Sequence, residues 1–304
     1  MMNLSEIARG VFQTQLHAMQ LHLDGCIEGK DSIHLHDLRV ANRRTRAALT
    51  EFKKLLPEEI CQRYQQDFRW IHNVTGPVRD LDVVLAQYQN IRKEIPKSWR
   101  PYVKNLQALL DEKRFVAQAE LSTILQSDRL RAILESWSVL LLEGGITEGT
   151  PLSMENAKEY GSLRIVKRYR RLQNKGQDLN KNSPAADYHD YRIKVKKLRY
   201  LMEFFRPAMD QEEFEKIRAN LKTVQDTFGI FQDTEIQVLN LREMAAEIFE
   251  QGSTVETLLV LGQLLGILEK RLSQARKKCL KHARWLISEA SARSFQSCFQ
   301  YPVD

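Results

Sequence analysis

The chain has 304 residues, a formal charge of +7 and a pI near 9.2. A hydrophobic content of 43% excludes a wholly disordered polymer, and 13 Gly with 8 Pro are too few for a fold of many short strands and turns. The length is about twice that of a common single domain, and the cationic balance favours anionic partners without saying anything about fold.

Asn3, with Glu6 three residues on, has the spacing of a capping box, and helical periodicity follows to about Glu28. A short loop, Gly29–Ser32, leads to a second helix that runs to about Leu56 and stops before Pro57. A third covers about Glu58–Arg92 with a kink at Gly76–Pro77. The fourth starts near Pro101 and runs towards Leu142 unless Ser127–Asp128 breaks it. Glu143–Pro151, with three glycines and a proline, then reads as a boundary, giving halves at 1–148 and 149–304. In the second half, helices are predicted over about Leu152–Lys175, Ala185–Arg206, Glu212–Glu250 with an interruption at Gly229, and Thr254–Ser294. No strand is predicted.

Cys26, Cys61, Cys279 and Cys298 have no CxxC spacing and read as reduced thiols of an intracellular protein. MMNLSEIARG lacks a basic segment followed by an apolar run, so no signal peptide is expected. The longest greasy stretch, Leu258–Leu268, is too short to span a bilayer. A soluble, cytoplasmic protein without membrane contact is the expectation.

The two halves share more than a helical pattern. HDLRVANRRTR at 36–46 aligns with HDYRIKVKKLR at 189–199, and FRWIHNVTGPVRDLDV at 68–83 with LKTVQDTFGIFQDTEI at 221–236. Both alignments use an offset of 153. Glu112-Lys113-Arg114 matches Glu269-Lys270-Arg271 at an offset of 157, consistent with a small insertion. Repetition on this scale indicates a duplicated domain, not a short-repeat solenoid.

On a helical wheel His36, Arg39, Arg43 and Arg46 fall within about 80° of one another, as do His189, Arg192, Lys196 and Arg199. Leu38, Ala41, Thr45, Leu49 and Phe52 make a separate stripe, matched by Tyr191, Val195, Leu198, Met202 and Phe205. Each helix thus has an apolar face for a core and a cationic face aimed elsewhere. Like charges one turn apart repel, and no matching run of acids sits at helical spacing within either helix. Four cations in a row suit an anion whose charge repeats along its length, and arginine's planar fork suits phosphate. A solvated basic face explains one such run well but explains a repeated run poorly.

The carboxylates Asp80, Asp82, Asp233 and Glu235 recur after a glycine in each half. They suit the orientation of nearby arginines and lysines better than metal binding or acid–base work. His34 and His36 have no second ligand cluster, so no metal is expected. Arg69 and Lys222 are equivalent across the repeat, and Arg276-Lys277-Lys278 adds a basic run. There is no Walker loop, dinucleotide turn, nucleophile elbow or HExxH, so neither a catalytic residue nor a cofactor is expected. No basic patch interleaved with aromatics, of the kind that stacks bases, is present.

The blocks HDLRVANRRTRAAL with GPVRDLDV, and HDYRIKVKKLRYLMEFF with LKTVQDTFGIFQD, resemble the CHAD family, the conserved histidine α-helical domain. The resemblance covers essentially the whole chain as two repeats. It implies an all-α fold of two tandem, pseudo-twofold-related four-helix bundles with a basic groove or pore at their junction. It also implies binding of inorganic polyphosphate without catalysis. Residue by residue, it transfers to His36, Arg39, Arg43, Arg44 and Arg46, and to His189, Arg192, Lys196, Lys197 and Arg199. Arg69, Lys113, Arg114, Lys222, Lys270, Arg271 and Arg276 complete the candidate polyphosphate-binding set. Many members of that family carry a fused triphosphate-tunnel domain with an ExExK strand. The near miss Glu213-Phe214-Glu215-Lys216-Ile217 lacks the lysine in register and lies in a predicted helix. Three other functions compete: nucleic-acid binding, the less favoured use of the same electrostatics; hydrolysis of phosphoanhydrides; and a purely structural scaffold. A polyphosphate ligand would make association with polyphosphate granules a natural location within the cytoplasm.

Overall fold

The computed structural model describes residues 2–143, 145–146, 151–209, 211–250, 252 and 254–299, and among them the regular structure is helical throughout. The first helices are α1 (Leu4–Glu28), α2 (Ser32–Glu51), α3 (Glu58–Val74), α4 (Gly76–Arg92), α5 (Lys104–Leu125) and α6 (Asp128–Leu142). They are followed by α7 (Ala157–Asp178), α8 (Ala185–Phe205), α9 (Gln211–Glu250), α10 (Val255–Leu286) and α11 (Glu289–Phe299).

Local chemistry accounts for the ends. The Asn3 side chain accepts from the Glu6 backbone while Glu6 accepts from the Asn3 backbone, closing the capping box of α1. At its other end Gly29 takes φ 66°, a left-handed conformation that glycine adopts without a Cβ penalty. Asp31 caps α2 by accepting from the Ile33 N–H at 2.9 Å. A Cβ on Gly25 would lie 2.3 Å from the His34 ring, so this glycine lets α1 and α2 approach closely. The predicted kink at Gly76–Pro77 is a full break: α3 ends at Val74, and Thr75 Oγ1 donates back to the Ile71 carbonyl at 2.7 Å. The rod predicted from Pro101 begins as a 3-10 turn, Lys97–Val103, and is broken between α5 and α6, where Ser127 caps Leu130.

Three expectations are corrected. No interruption occurs at Gly229, because α9 runs 40 residues through it, held by Phe228 and Phe231, both buried. The last predicted helix is two, since Ser288 Oγ accepts from Ser291 N and starts α11, and the Tyr169 hydroxyl donates to the Leu286 carbonyl at the end of α10. The second half's first helix begins at Ala157 and not near Leu152. The residues before it form turns that end in an antiparallel bridge between Asn3 and Asn156, with Leu4 N–H donating to the Glu155 carbonyl. The predicted boundary Glu143–Pro151 lies in large part outside the described residues.

The chain forms two compact units. One comprises Met1–Val83, Asp111–Ser162 and Tyr200–Met209; the other comprises Val84–Leu110, Leu163–Arg199 and Asp210–Asp304. In the first unit Trp137 is fully buried, edge-on to Phe12 at 5.1 Å and in contact with Tyr64 and Phe68. Phe52 packs on Phe204 and Phe205. In the second unit Tyr169 stacks on Phe295 at 3.7 Å, while Tyr188 and Tyr191 of α8 pack on Phe231 and Phe228 of α9. These rings fix α2 in the first unit and the 185–199 part of α8 in the second, and leave the opposite faces of both for polar groups.

Candidate polyanion interface

In the first unit, α2 buries Leu35, Leu38, Ala41, Thr45 and Leu49, which turns His36, Arg39, Arg43 and Arg46 to a half-exposed face. Arg39 Nη1 donates to the His72 carbonyl and to Thr75 Oγ1, both at 2.7 Å, tying α2 to the break between α3 and α4. Arg43 Nε donates to the Tyr200 hydroxyl at 2.9 Å. Burial lowers the pKa of Arg39, the Asp80 carboxylate opposes this, and the charges of Arg43, Arg79 and Arg46 add to the lowering. Arg46 is lowered by burial and then by Arg69. His36 is lowered by burial and then by Arg79; Asp37 pulls it back, and Arg43 and Arg39 lower it further. His36 and five guanidiniums therefore share one field. Arg39 and Arg46 stay protonated all the same, since shifts of this kind do not discharge arginine.

Arg79 was not among the residues singled out from the sequence. The available signal was its place three residues after Gly76 in the repeated carboxylate block, weakened because the equivalent position 153 residues on is Gln232. Arg44 is committed elsewhere: it pairs with Glu203 at 3.0 Å and lies over the Tyr200 ring at 5.8 Å. Arg114 is likewise used internally, pairing with buried Asp82 at 2.8 Å and donating to the Gly29 carbonyl at 3.0 Å. That is the orienting role expected of the carboxylate block. Lys113 is exposed on α5, Arg69 is exposed on α3, and His34 turns away to meet His22, Nδ1 to Nδ1 at 3.1 Å.

In the second unit α8 buries Tyr188, Tyr191, Val195 and Leu198. His189 and Lys197 are exposed, and Arg192, Lys196 and Arg199 are half-exposed. His189 Nδ1 lies 2.6 Å from Gln232 Oε1, and because an amide oxygen only accepts, Nδ1 carries the proton. Gln232 in turn donates to Glu235 at 3.4 Å. Arg199 Nε donates to Gln225 at 2.8 Å. A Cβ on Gly229 would sit 3.9 Å from the Arg192 guanidinium, and one on Gly76 would sit 3.9 Å from Arg39 Nη1. An arginine packed over a helical glycine thus recurs at the repeat offset. Arg276 holds the Lys181 and Ser183 carbonyls, the latter at 2.6 Å, and lies over Tyr188 at 4.8 Å. Arg271 pairs with Glu94, while Lys222 and Lys270 are exposed.

Among the described residues no group of three His, Cys, Asp or Glu side chains is placed to hold a metal ion. No helix among them is long and apolar enough to cross a membrane. The near miss to an ExExK motif, Glu213–Ile217, is helical and lies in α9.

The CHAD domain family model matches residues 10–242. The chain is similar to the crystal structure of the CHAD domain from the plant Ricinus communis, with TM-score 0.69, 20% identity, and coverage of 99% of this chain and 93% of that one. It is also similar to PptA from Streptomyces chartreusis, with TM-score 0.71, 16% identity, and coverage of 99% and 100%. No curated protein sequence matches. At these identities the solved structures speak for the fold, and the family match spans well over half the chain: this protein belongs to the CHAD domain family.

Proposed function

We propose that the protein binds inorganic polyphosphate, without catalysis, through the cationic faces of α2 and α8. The observation that carries this reading is the crowding of like charge at the α2 face, to which Arg69 of α3 and Arg79 of α4 add. Beyond burial, which lowers the pKa of His36, Arg39 and Arg46 most, His36 feels the charges of Arg79, Arg43 and Arg39. Arg39 feels those of Arg43, Arg79 and Arg46, and Arg46 that of Arg69, with only Asp37 and Asp80 opposing. A phosphate polymer relieves that repulsion, releases its own counterions and accepts bidentate bonds from guanidinium forks. Membership of the CHAD family supports the same ligand. The repeat of arginine over glycine on α8 supports an equivalent role for the second face.

The test uses Arg46→Ala with Arg79→Ala, since no hydrogen bond or ion pair ties either side chain into the described structure. Melting is expected to stay near wild type while polyphosphate affinity falls at least tenfold, about 1.4 kcal/mol. Unchanged affinity would remove α2 from the site. Duplex DNA or RNA of equal charge that competes as well as polyphosphate would favour nucleic-acid binding. Phosphate released in the presence of magnesium or manganese would favour an enzyme.

A further inference from the structure

A second cationic site shares no residue with either face. At the C-terminal end of α4, an open cavity of about 400 Å³ is lined by Gln89, Arg92, Lys93, Arg100 and Gln107. That volume falls in the range of small-molecule sites. The lining carries three cations and no carboxylate. The nearest acid in sequence, Glu94, is engaged by Arg271. Arg92 Nη1 donates to Gln107 Oε1 at 3.4 Å and Arg100 Nη2 to the Lys93 carbonyl at 3.1 Å, both neutral acceptors. The Nε atoms of Arg92 and Arg100 are each buried without a hydrogen-bond partner. Buried, unsatisfied guanidinium N–H groups are costly, and here they accompany uncompensated like charge.

We infer that this cavity is a site for a compact di- or triphosphate group, with Arg92, Lys93 and Arg100 on the phosphate oxygens. The amides of Gln89 and Gln107 lie at the same cavity and can donate to further oxygens of the ligand. Two arginines and a lysine around one cavity suit a small, dense anion, whereas the one-cation-per-turn stripe of α2 suits an extended one. The site goes beyond the polyphosphate reading of α2 and α8 and stands whether or not that reading holds. Such a group has two sources, the end of a free oligophosphate or a nucleoside triphosphate.

Calorimetric titration of the full chain with tripolyphosphate and with ATP tests it, comparing wild type, Lys93→Glu, and Arg46→Ala with Arg79→Ala. The Lys93 side chain is exposed, and its backbone carbonyl still accepts from Arg100 in the variant, so the fold is expected to survive. Lys93→Glu should weaken tripolyphosphate binding at least tenfold while leaving long-chain polyphosphate binding to the α2 face intact. The α2 variant should do the reverse, which separates failure of one site from failure of the other. Binding of ATP in competition with tripolyphosphate identifies the nucleotide source, and rejection of ATP identifies the oligophosphate end. Tripolyphosphate bound equally by wild type and Lys93→Glu, or not bound by wild type, overturns the proposal and leaves these cations to the carbonyl end of α4.

Discussion

Arg39 shows at the scale of one residue how a cation can belong to both the fold and the site. Its two 2.7 Å bonds to His72 O and Thr75 Oγ1 hold the α3–α4 break, and its charge joins the α2 field. Arg39→Ala should therefore lower stability by about 1–3 kcal/mol as well as affinity, read as a drop in denaturation midpoint, whereas Arg46→Ala should lower affinity alone. Equal midpoints for the two variants would contradict that division. His36 carries a pH signature. Its pKa in the free protein lies below 6.5, because burial and Arg79 disfavour the imidazolium. The unfolded chain then takes up the proton first, so stability is full above that value and is lost as pH falls beneath it. A bound polyanion offsets the arginine charges and raises the His36 pKa, so affinity should increase as pH falls from about 7 to 5. A His36→Ala protein with the same pH dependence as wild type would show that this imidazole does not titrate on binding. The stripe holding these residues was legible from spacing alone. The partners of Arg44 and Arg114 were not, because Glu203 and Asp82 lie 159 and 32 positions away and helical periodicity is silent about what packs against a face.

Helices were legible where a local signal was strong and misjudged where tertiary packing overrode it. The capping box at Asn3 and the break before Pro77 are local facts. Gly76 and Gly229 occupy equivalent positions, yet only the first marks a break. Pro77 follows Gly76 and has no N–H to give, while Ile230 follows Gly229 and keeps its helical bond between buried Phe228 and Phe231. Gly229 is then merely a poor helix former within α9. Gly229→Ala places its Cβ 3.9 Å from the Arg192 guanidinium, an ordinary contact. It should raise stability by about 0.4–1 kcal/mol in chemical denaturation. A loss of stability would mean that the arginine needs the space. The split between α10 and α11 depends on Tyr169, a residue 117 positions before Leu286, and no local pattern announces it.

For the whole molecule, the duplicated blocks conveyed an all-α chain and two cationic helices, but not how segments are shared. Each compact unit takes residues from both halves of the sequence: 200–209 pack in the first unit and 84–110 in the second. Contacts that distant in sequence leave no trace in periodicity. On the function we propose, an extended phosphate polymer is held along these faces by many weak contacts and not by one discrete pocket. The most direct measurement is the dissociation constant for polyphosphates of graded length, taken at one fixed salt concentration in the Lys93→Glu background so that the α4 cavity does not contribute. Affinity should climb steeply with chain length and then level off. An affinity that is flat from pyrophosphate upward would contradict the account.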